Sequence, residues 1–160
     1  MADAAIFKDL KADHDKHRKL LEQLGETQGD GDERRALFDA LRKELQAHAA
    51  AEEESLYATM LANPELRDEA RHSVSEHKEI DDYLGELVEI EMRSSAWLTK
   101  FKELRHRYLH HIDEEEEEMF TSAAKTLSAE TEKKLAEVFE NRKPKELAAA
   151  EEELPGDARD

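Results

Sequence analysis

Four histidines lie where the helical pattern of the sequence calls for an apolar residue, and they mark the part of the chain that could carry chemistry. They are His14, His48, His77 and His111. Two of them are followed four residues later by a glutamate, which gives the pairs His48/Glu52 and His111/Glu115. A polar group in a protein core costs free energy unless another group satisfies it. Four imidazoles and two carboxylates at one level of a helical bundle therefore predict a metal site.

The spacing of these residues predicts that they meet at one depth of a bundle. Residues four apart share one face of an α-helix, so each of the two glutamates can act together with its histidine. The distances along the chain from the four histidines to the breaks between helices allow them all to share one layer. Imidazole nitrogen combined with carboxylate oxygen suits iron, manganese or zinc better than calcium or magnesium. Because each glutamate can bridge two ions, the set is sufficient for a dinuclear centre that keeps open coordination positions.

Each of these residues, taken alone, has a simpler explanation. A single histidine on an apolar stripe is more often a hydrogen-bonded core residue than a metal ligand. Glu115 lies within the run Glu114–Glu118, and such runs usually form a solvated helix face. The agreement of four helices, twice with glutamate four residues after histidine, favours a metal site over coincidence. In the same register His110 falls off the apolar stripe, and we expect it to face solvent.

Two Glu-x-x-His pairs offer a different dinuclear pattern, that of the ferritin-like carboxylate proteins. They are Glu69/His72 and Glu103/His106. In each case a histidine of the predicted layer follows five residues later, and five residues turn an α-helix by about 140°. If the later histidine is buried, the earlier one faces away from the core. We therefore set the ferritin-like arrangement aside.

Three further residues lie close to the predicted ligands. His17 is one helical turn after the first histidine, and it is a candidate fifth ligand, a hydrogen-bond partner of a ligand, or a partly exposed group. Asp81, four residues after the third histidine, is a candidate ligand for the same reason. Tyr57 could pack near the site, but on an α-helix it points away from the direction of His48, so we do not assign it as a ligand.

Apolar residues at steps of three and four predict four long helices and a shorter fifth one. The predicted helices run from about Ile6 to Leu24, Glu33 to Met60, Pro64 to Met92 and Ser95 to beyond Met119, with the fifth after Ser128. The short connections predict an all-α, up-down-up-down four-helix bundle with the short C-terminal helix on its outside. We assign residues 1–143 to this domain and expect residues 144–160 to form a flexible acidic tail. We find no repeat of fixed period.

The composition argues against several classes of function. A chain of 160 residues is long enough for one domain with a substantial core. Its formal net charge of −17 argues against binding nucleic acid, whose phosphates need a basic surface, and against anionic membranes. The absence of cysteine excludes disulfides, Fe–S clusters and cysteine-ligated zinc. No apolar run reaches ~18 residues and no leader pattern is seen, so we expect no membrane span and a cytoplasmic location.

The sequence resembles the hemerythrin-like proteins of the HHE cation-binding family over about residues 5–122. The resemblance rests on four short motifs in this order: Asp13-His14, His48-x-x-x-Glu52, Glu76-His77 and His111-x-x-x-Glu115. It implies a four-helix bundle with a non-haem centre of two iron ions, joined by an oxo or hydroxo bridge.

The chain departs from the oxygen-carrying members of that family at two positions. Those members have a second histidine on the third helix, where this chain has Asp81, and an aspartate five residues after the fourth-helix histidine, where it has Glu116. These departures favour a protein that binds O2 or a related ligand in oxygen, iron or nitrosative-stress sensing or response. The alternatives are a diiron enzyme acting on nitric oxide or peroxide, and a metal-free helical interaction module. The pattern does not specify an oligomeric state.

Overall fold

The computed structural model describes residues 4–156, and these residues lie in helices or in the connections between helices. In chain order the helical elements are α1 (Ala5–Gly25), α2 (Asp32–Glu52), a first π-helical segment (Glu53–Tyr57), α3 (Ala58–Ala62), α4 (Arg67–Glu89), α5 (Ser95–Glu114), a second π-helical segment (Glu115–Met119), α6 (Phe120–Thr126) and α7 (Ala129–Ala150). None of the helices within residues 4–156 is long and apolar enough to cross a membrane.

Four helical rods pack side by side and close into a bundle. The first rod is α1, and the second is α2 continued through the first π segment into α3. The third is α4, and the fourth is α5 continued through the second π segment into α6. Each rod packs on the next, the fourth returns to the first, and α7 packs on α1 and α2 from outside. The predicted up-down-up-down four-helix bundle with an additional C-terminal helix is confirmed.

Local sequence signals explain where the last two long helices begin. The hydroxyl of Ser94 accepts a hydrogen bond from the backbone N–H of Trp97 at 3.2 Å, and Ser128 accepts one from Thr131 at 3.1 Å. Such serine caps satisfy one of the N–H groups that have no partner within the first helical turn. Both helices therefore start at fixed residues, which sets the depth of the side chains that follow.

The apolar core is divided in two by the layer that holds the histidines. The cluster at one end includes Phe7, Leu10, Leu56, Met60 and Phe120. The cluster at the other end includes Leu21, Leu41, Leu84, Trp97 and Phe101. Burial of each such side chain contributes about 1.5–3 kcal/mol. The two apolar clusters offset the cost of keeping polar groups between them.

Helix α7 is longer than the sequence predicted. We expected residues 144–160 to form a flexible tail, and a proline at the start of that segment also removes a backbone hydrogen bond from the helix. It continues instead to Ala150, through residues with high helix propensity. Its end is held by Arg42, whose guanidinium donates to the carbonyl of Ala150 at 2.8 Å. The domain boundary at residue 144 stays a prediction, and residues 157–160 of the expected tail lie outside the described residues.

The segment after α7 crosses from α2 to α4. Gln46 donates to the carbonyl of Glu153 at 3.0 Å, and the backbone N–H of Gly156 donates to Asp81 at 2.9 Å. Gly156 has a φ of +55°, and a Cβ at that position would lie 2.8 Å from the carbonyl oxygen of Asp81. Glycine is therefore required where the segment meets α4.

Candidate metal centre

The six residues predicted as ligands meet in one layer, which we call the polar layer, and none is more than 7% exposed. They are His14 on α1, His48 and Glu52 on α2, His77 on α4, His111 on α5 and Glu115 at the start of the second π segment. The order of these residues along the four rods brings them to the same depth, between the two apolar clusters. Their role as metal ligands stays a prediction, whereas their convergence is a property of the structure.

The polar layer contains two overlapping groups of four residues. Position A is formed by His14, His48, Glu52 and Glu115, and position B is formed by His77, His111, Glu52 and Glu115. Within each group, one nitrogen or oxygen atom from every residue lies within 4.8 Å of those from the others. Because both glutamates belong to both groups, each carboxylate is placed to bridge two ions.

The Nε2 atom of every histidine in the polar layer is turned towards a carboxylate oxygen. The distances are 3.1 Å for His14 to Glu115, 3.4 Å for His48 to Glu52, 3.4 Å for His77 to Glu52 and 3.8 Å for His111 to Glu115. Four imidazole nitrogens and two carboxylates therefore face one small volume from four helices. Imidazole and carboxylate are the donors that first-row transition metals share.

The Nδ1 atom of each of these histidines is held by a carboxylate from the neighbouring rod. The pairs are His48 with Asp13, His77 with Glu53 and His111 with Glu76, each at 2.8 Å, and His14 with Glu116 at 2.6 Å. Each of these four carboxylates is adjacent in sequence to a residue of the polar layer. A hydrogen bond from Nδ1 to a carboxylate fixes the ring and leaves Nε2 free to bind a metal ion, as is usual for metal-bound histidine.

Several atoms of the polar layer are buried without a hydrogen-bond partner. Within the described residues seven side-chain atoms are in this condition, and five of them are His14 Nε2, His48 Nε2, both oxygens of Glu52 and Oε1 of Glu115. Some of these atoms lie near a group of opposite charge, but the angle between the two groups does not allow a hydrogen bond. Each such atom costs about 1–3 kcal/mol. A cation at each position would satisfy them, so the residues present fit a pair of metal ions.

The electrostatics of the polar layer favour protonated imidazoles beside ionised carboxylates. Burial lowers the pKa of His14, but Glu115 and Glu116 outweigh it and raise that pKa to about 9. Burial likewise opposes the carboxylates around His77, which raise its pKa to about 10. Burial raises the pKa of Glu52, but the adjacent imidazoles hold it well below its usual value. Metal ions would therefore have to displace protons from the imidazoles.

Tyr57 packs beside the polar layer, as the sequence allowed, but its hydrogen bond to a predicted ligand was not anticipated. Its hydroxyl donates to Oε2 of Glu115, and its ring stacks on His77 with centroids 5.1 Å apart. The cause is the first π segment, which widens the helical turn so that residue 57 follows Glu52 onto the inner face. Burial and the nearby carboxylates raise the pKa of Tyr57 well above its usual value, so the phenol keeps its proton.

His17 lies beside the polar layer and both of its ring nitrogens have partners. Nδ1 is 2.7 Å from the hydroxyl of Tyr108, and Nε2 is 3.2 Å from Glu44. Burial lowers the pKa of His17 to about 4, so the ring is neutral at neutral pH. It also comes near Asp13 and His48 in a third, partly exposed group. These contacts favour a role for His17 in fixing the side chains beside the polar layer, and they disfavour direct ligation of a metal ion by His17.

The remaining candidates lie outside the layer. Asp81 accepts the hydrogen bond from Gly156 and belongs to neither position. The side chain of His110 is 64% exposed, as expected. The members of the two Glu-x-x-His pairs do not enter the polar layer, and His72 and His106 are exposed.

Helix α7 contributes a cation next to the layer. Lys143 donates to Asp13 at 2.6 Å and to Glu44 at 3.1 Å. These are the carboxylates that hold His48 and His17 respectively. The additional helix therefore supports the orientation of position A from outside the bundle.

The residues of the polar layer repeat along the chain, although we expected no repeat of fixed period. Each of three pairs is separated by 63 residues: His14/His77, His48/His111 and Glu52/Glu115. Exposed positions at the same separation differ, as Lys16 and Glu79 do. Helices α1 and α2 thus supply the histidines of position A, and helices α4 and α5 supply those of position B.

Two cavities reach the layer from opposite sides of α4. The cavity between α2 and α4, about 360 Å³, is lined mainly by apolar side chains and reaches His48 and His77. The cavity between α4 and α5, about 400 Å³, is lined mainly by acidic side chains and reaches His111 and Glu115. His14 lines neither of them.

A helical bundle that gathers imidazoles and carboxylates at mid-depth has the architecture of a bundle metal protein. The protein-family model of the hemerythrin HHE cation binding domain matches residues 5–123. The chain therefore belongs to the hemerythrin HHE cation-binding domain family, as the sequence motifs indicated.

A solved structure with the same fold is a hemerythrin HHE cation binding domain-containing protein from Mycobacterium kansasii. Its TM-score is 0.77 at 23% identity, and the match covers 88% of this chain and 85% of that one. At this identity the similarity establishes the fold alone. No curated protein matches this chain significantly.

Proposed function

We propose that this chain is a diiron protein that binds O2 or a related small ligand, such as nitric oxide or peroxide, in oxygen, iron or nitrosative-stress sensing or response. The iron ions would be held by His14, His48, His77, His111, Glu52 and Glu115, with an oxo or hydroxo bridge between them. One observation carries the proposal: both glutamates serve both positions, and three of their four oxygens are buried without a hydrogen-bond partner. A metal-free interaction module would leave that cost without compensation.

The donor set supports iron and the geometry supports a pair of ions. Histidine and carboxylate donors suit first-row transition metals, and shared carboxylates suit two ions of one kind. A pair of iron ions bound there would supply the electrons for binding and reducing O2, nitric oxide or peroxide. The protein contributes fixed imidazoles, a buried site and a protonated phenol at Tyr57.

The cavity between α2 and α4 supports an uncharged ligand. Leu45, Val74 and Ile80 lie among its lining residues. Its inner end reaches a histidine of each position, His48 and His77. Small uncharged molecules cross such a lining at little cost, whereas a hydrated anion would lose strong hydrogen bonds to water.

Metal analysis tests the proposal directly. Protein expressed with added iron and purified without chelators is expected to contain about two irons per chain. It should also show the visible absorption of an oxidised iron pair. One tightly bound zinc per chain, with no spectrum of a dinuclear centre, would contradict the proposal.

Reaction with O2 separates a sensor or stress protein from a carrier. With Asp81 bonded to Gly156 and outside both positions, the donors found at position B are two imidazoles and two shared carboxylates. Water or anions can then complete the coordination, and oxygen donors stabilise the ferric state. We expect the reduced protein to become fully oxidised within minutes of mixing with O2 in stopped-flow absorbance. An O2 adduct that lasts for many hours and releases O2 under argon would instead indicate an oxygen carrier.

A diiron enzyme acting on peroxide or nitric oxide is the second candidate, and Tyr57 favours it. Its hydroxyl is buried and donates to Glu115, so a group that carries a proton is fixed beside the positions proposed for the ions. A proton donor beside the reacting groups is what peroxide cleavage needs. Turnover of hydrogen peroxide by the iron-loaded protein, compared with a Tyr57→Phe variant of equal iron content, tests this candidate. If neither protein turns peroxide or nitric oxide over, the binding function stands alone.

A further inference from the structure

The cavity between α4 and α5 differs in charge from the other cavity that reaches the polar layer. Its rim carries Asp68, Glu69, His72, Glu76, Glu114 and Glu118, and its lining contains no lysine or arginine. The cavity between α2 and α4 is mostly apolar, and its charged lining residues, Glu53, Lys78 and Asp81, are of both signs. A concave surface of one sign concentrates ions of the opposite sign and raises their rate of association. The acidic cavity is therefore suited to cations.

Three donors meet at the mouth of the acidic cavity. Nε2 of His72 lies 3.4 Å from an oxygen of Glu76 and 3.5 Å from an oxygen of Glu114. One nitrogen or oxygen atom from each of the three lies within 4.8 Å of the others. His72 is 59% exposed, Glu114 33% and Glu76 17%, so the group is open to solvent. Its donor types are those of the polar layer itself.

The same cavity ends at buried groups that lack partners. Glu115 lines its inner end and is 2% exposed, and its Oε1 has no hydrogen-bond partner. Glu76 joins the mouth to the interior, because one of its oxygens faces His72 and the other accepts from Nδ1 of His111 at 2.8 Å. Nitrogen and oxygen donors are thus continuous from the surface to position B.

We propose that His72, Glu76 and Glu114 form an external docking site for divalent first-row transition-metal ions, from which each ion passes through the acidic cavity to the polar layer. This inference rests on the proposed metal-binding function. The docking site is weaker than the centre it feeds, because it is exposed and Glu76 is already engaged with His111. An ion held there exchanges rapidly and moves on to positions with more donors.

The rate of metal loading tests the docking site. Metal-free protein is mixed with Co2+, which absorbs visibly when bound, at concentrations where loading is limited by capture. The double variant His72→Ala/Glu114→Gln is expected to load about tenfold more slowly than wild type. Its final cobalt content and spectrum should equal those of wild type, because neither residue belongs to the polar layer.

The matched control is Glu103→Gln/His106→Ala. It removes the same two residue types from the same protein, and neither residue lines the acidic cavity. It should load at the wild-type rate. Equal loading rates for wild type and the docking-site variant would overturn the inference. So would a lower final cobalt content in that variant, because it would place the residues in the centre itself. If wild type bound no cobalt, the proposed function would fail, and the docking site with it.

Discussion

At the scale of single residues, the centre depends on helical register more than on residue type. His110 and His111 are adjacent and chemically identical, yet their side chains are 64% and 2% exposed. Nδ1 of His111 donates to Glu76, whereas His110 makes an exposed pair with Glu114. The apolar stripe was sufficient to separate the two histidines from the sequence.

The His111→Ala variant is expected to lose metal while His110→Ala is not. Removing the imidazole of His111 takes one of the two histidines from position B and leaves Glu76 without its partner. Elemental analysis of the two iron-loaded variants should show no more than about one ion per chain for His111→Ala and wild-type content for His110→Ala. Equal metal loss in both, with folding intact by circular dichroism, would show that register does not decide ligation.

Register also explains what could not be predicted at this scale. The contact of Tyr57 with Glu115 was missed because a count of 3.6 residues per turn fails inside a π segment. One sequence feature does indicate it: an aromatic residue follows each glutamate of the polar layer by five residues. Tyr57 follows Glu52, and Phe120 follows Glu115. Both rings stack on a histidine, with centroids 5.1 Å apart for His77 and 6.0 Å apart for His14.

At the scale of helical elements, α7 is the part that the sequence described least well. Its apolar residues indicated a helix packed on the outside, and this is confirmed. Its length was underestimated because the acidic residues from 144 onwards were expected to fray, and Pro144 does cost the helix a backbone hydrogen bond. Tertiary contacts from Arg42 and the helical propensity of the following residues outweigh that cost. The end of α7 therefore depends on tertiary contacts, which the local sequence pattern does not indicate.

The Lys143→Ala variant should weaken metal binding without unfolding the protein. Lys143 stands between Asp13 and Glu44, so its removal frees the carboxylate that orients His48. Loss of such outer contacts typically lowers metal affinity about 10- to 100-fold. Competition for Co2+ between the protein and a coloured chelator measures the change. Lys145→Ala, an exposed position on the same helix, is the control. Equal metal affinity in both variants would show that α7 does not support the metal site.

At the scale of the whole molecule, the four rods hold one another through the histidines. Each imidazole is fixed by a carboxylate from the rod before it, and the chain of contacts closes on itself around the bundle. Metal binding at the polar layer is therefore expected to stabilise the whole closed bundle against unfolding.

The stability of the metal-free protein should fall as the pH rises above neutrality. The pKa values of His14 and His77 are raised from 6.5 to about 9 and about 10. Groups with raised pKa values stabilise the fold fully below pH 6.5, and that stabilisation is lost as the pH passes through the folded-state values. The expected loss in the free energy of unfolding is on the order of a few kcal/mol.

Thermal unfolding of metal-free protein between pH 6 and pH 10 measures this dependence. The metal-loaded protein is the comparison, because coordination replaces the protons on the imidazoles and favours higher pH. A melting temperature of the metal-free protein that stays constant over this range would contradict the ion pairs of the polar layer.

The unequal access to the two positions implies an order of metal loss. Both histidines of position B line a cavity, whereas in position A His48 lines one and His14 lines neither. A chelator that enters from solvent therefore reaches the ion at position B first. Stripping should proceed in two phases and pass through a half-loaded protein whose remaining ion lies between His14 and His48. Such a protein would hold one metal ion at the less accessible position, where exchange is slower, and the second position would then be free to accept a different metal.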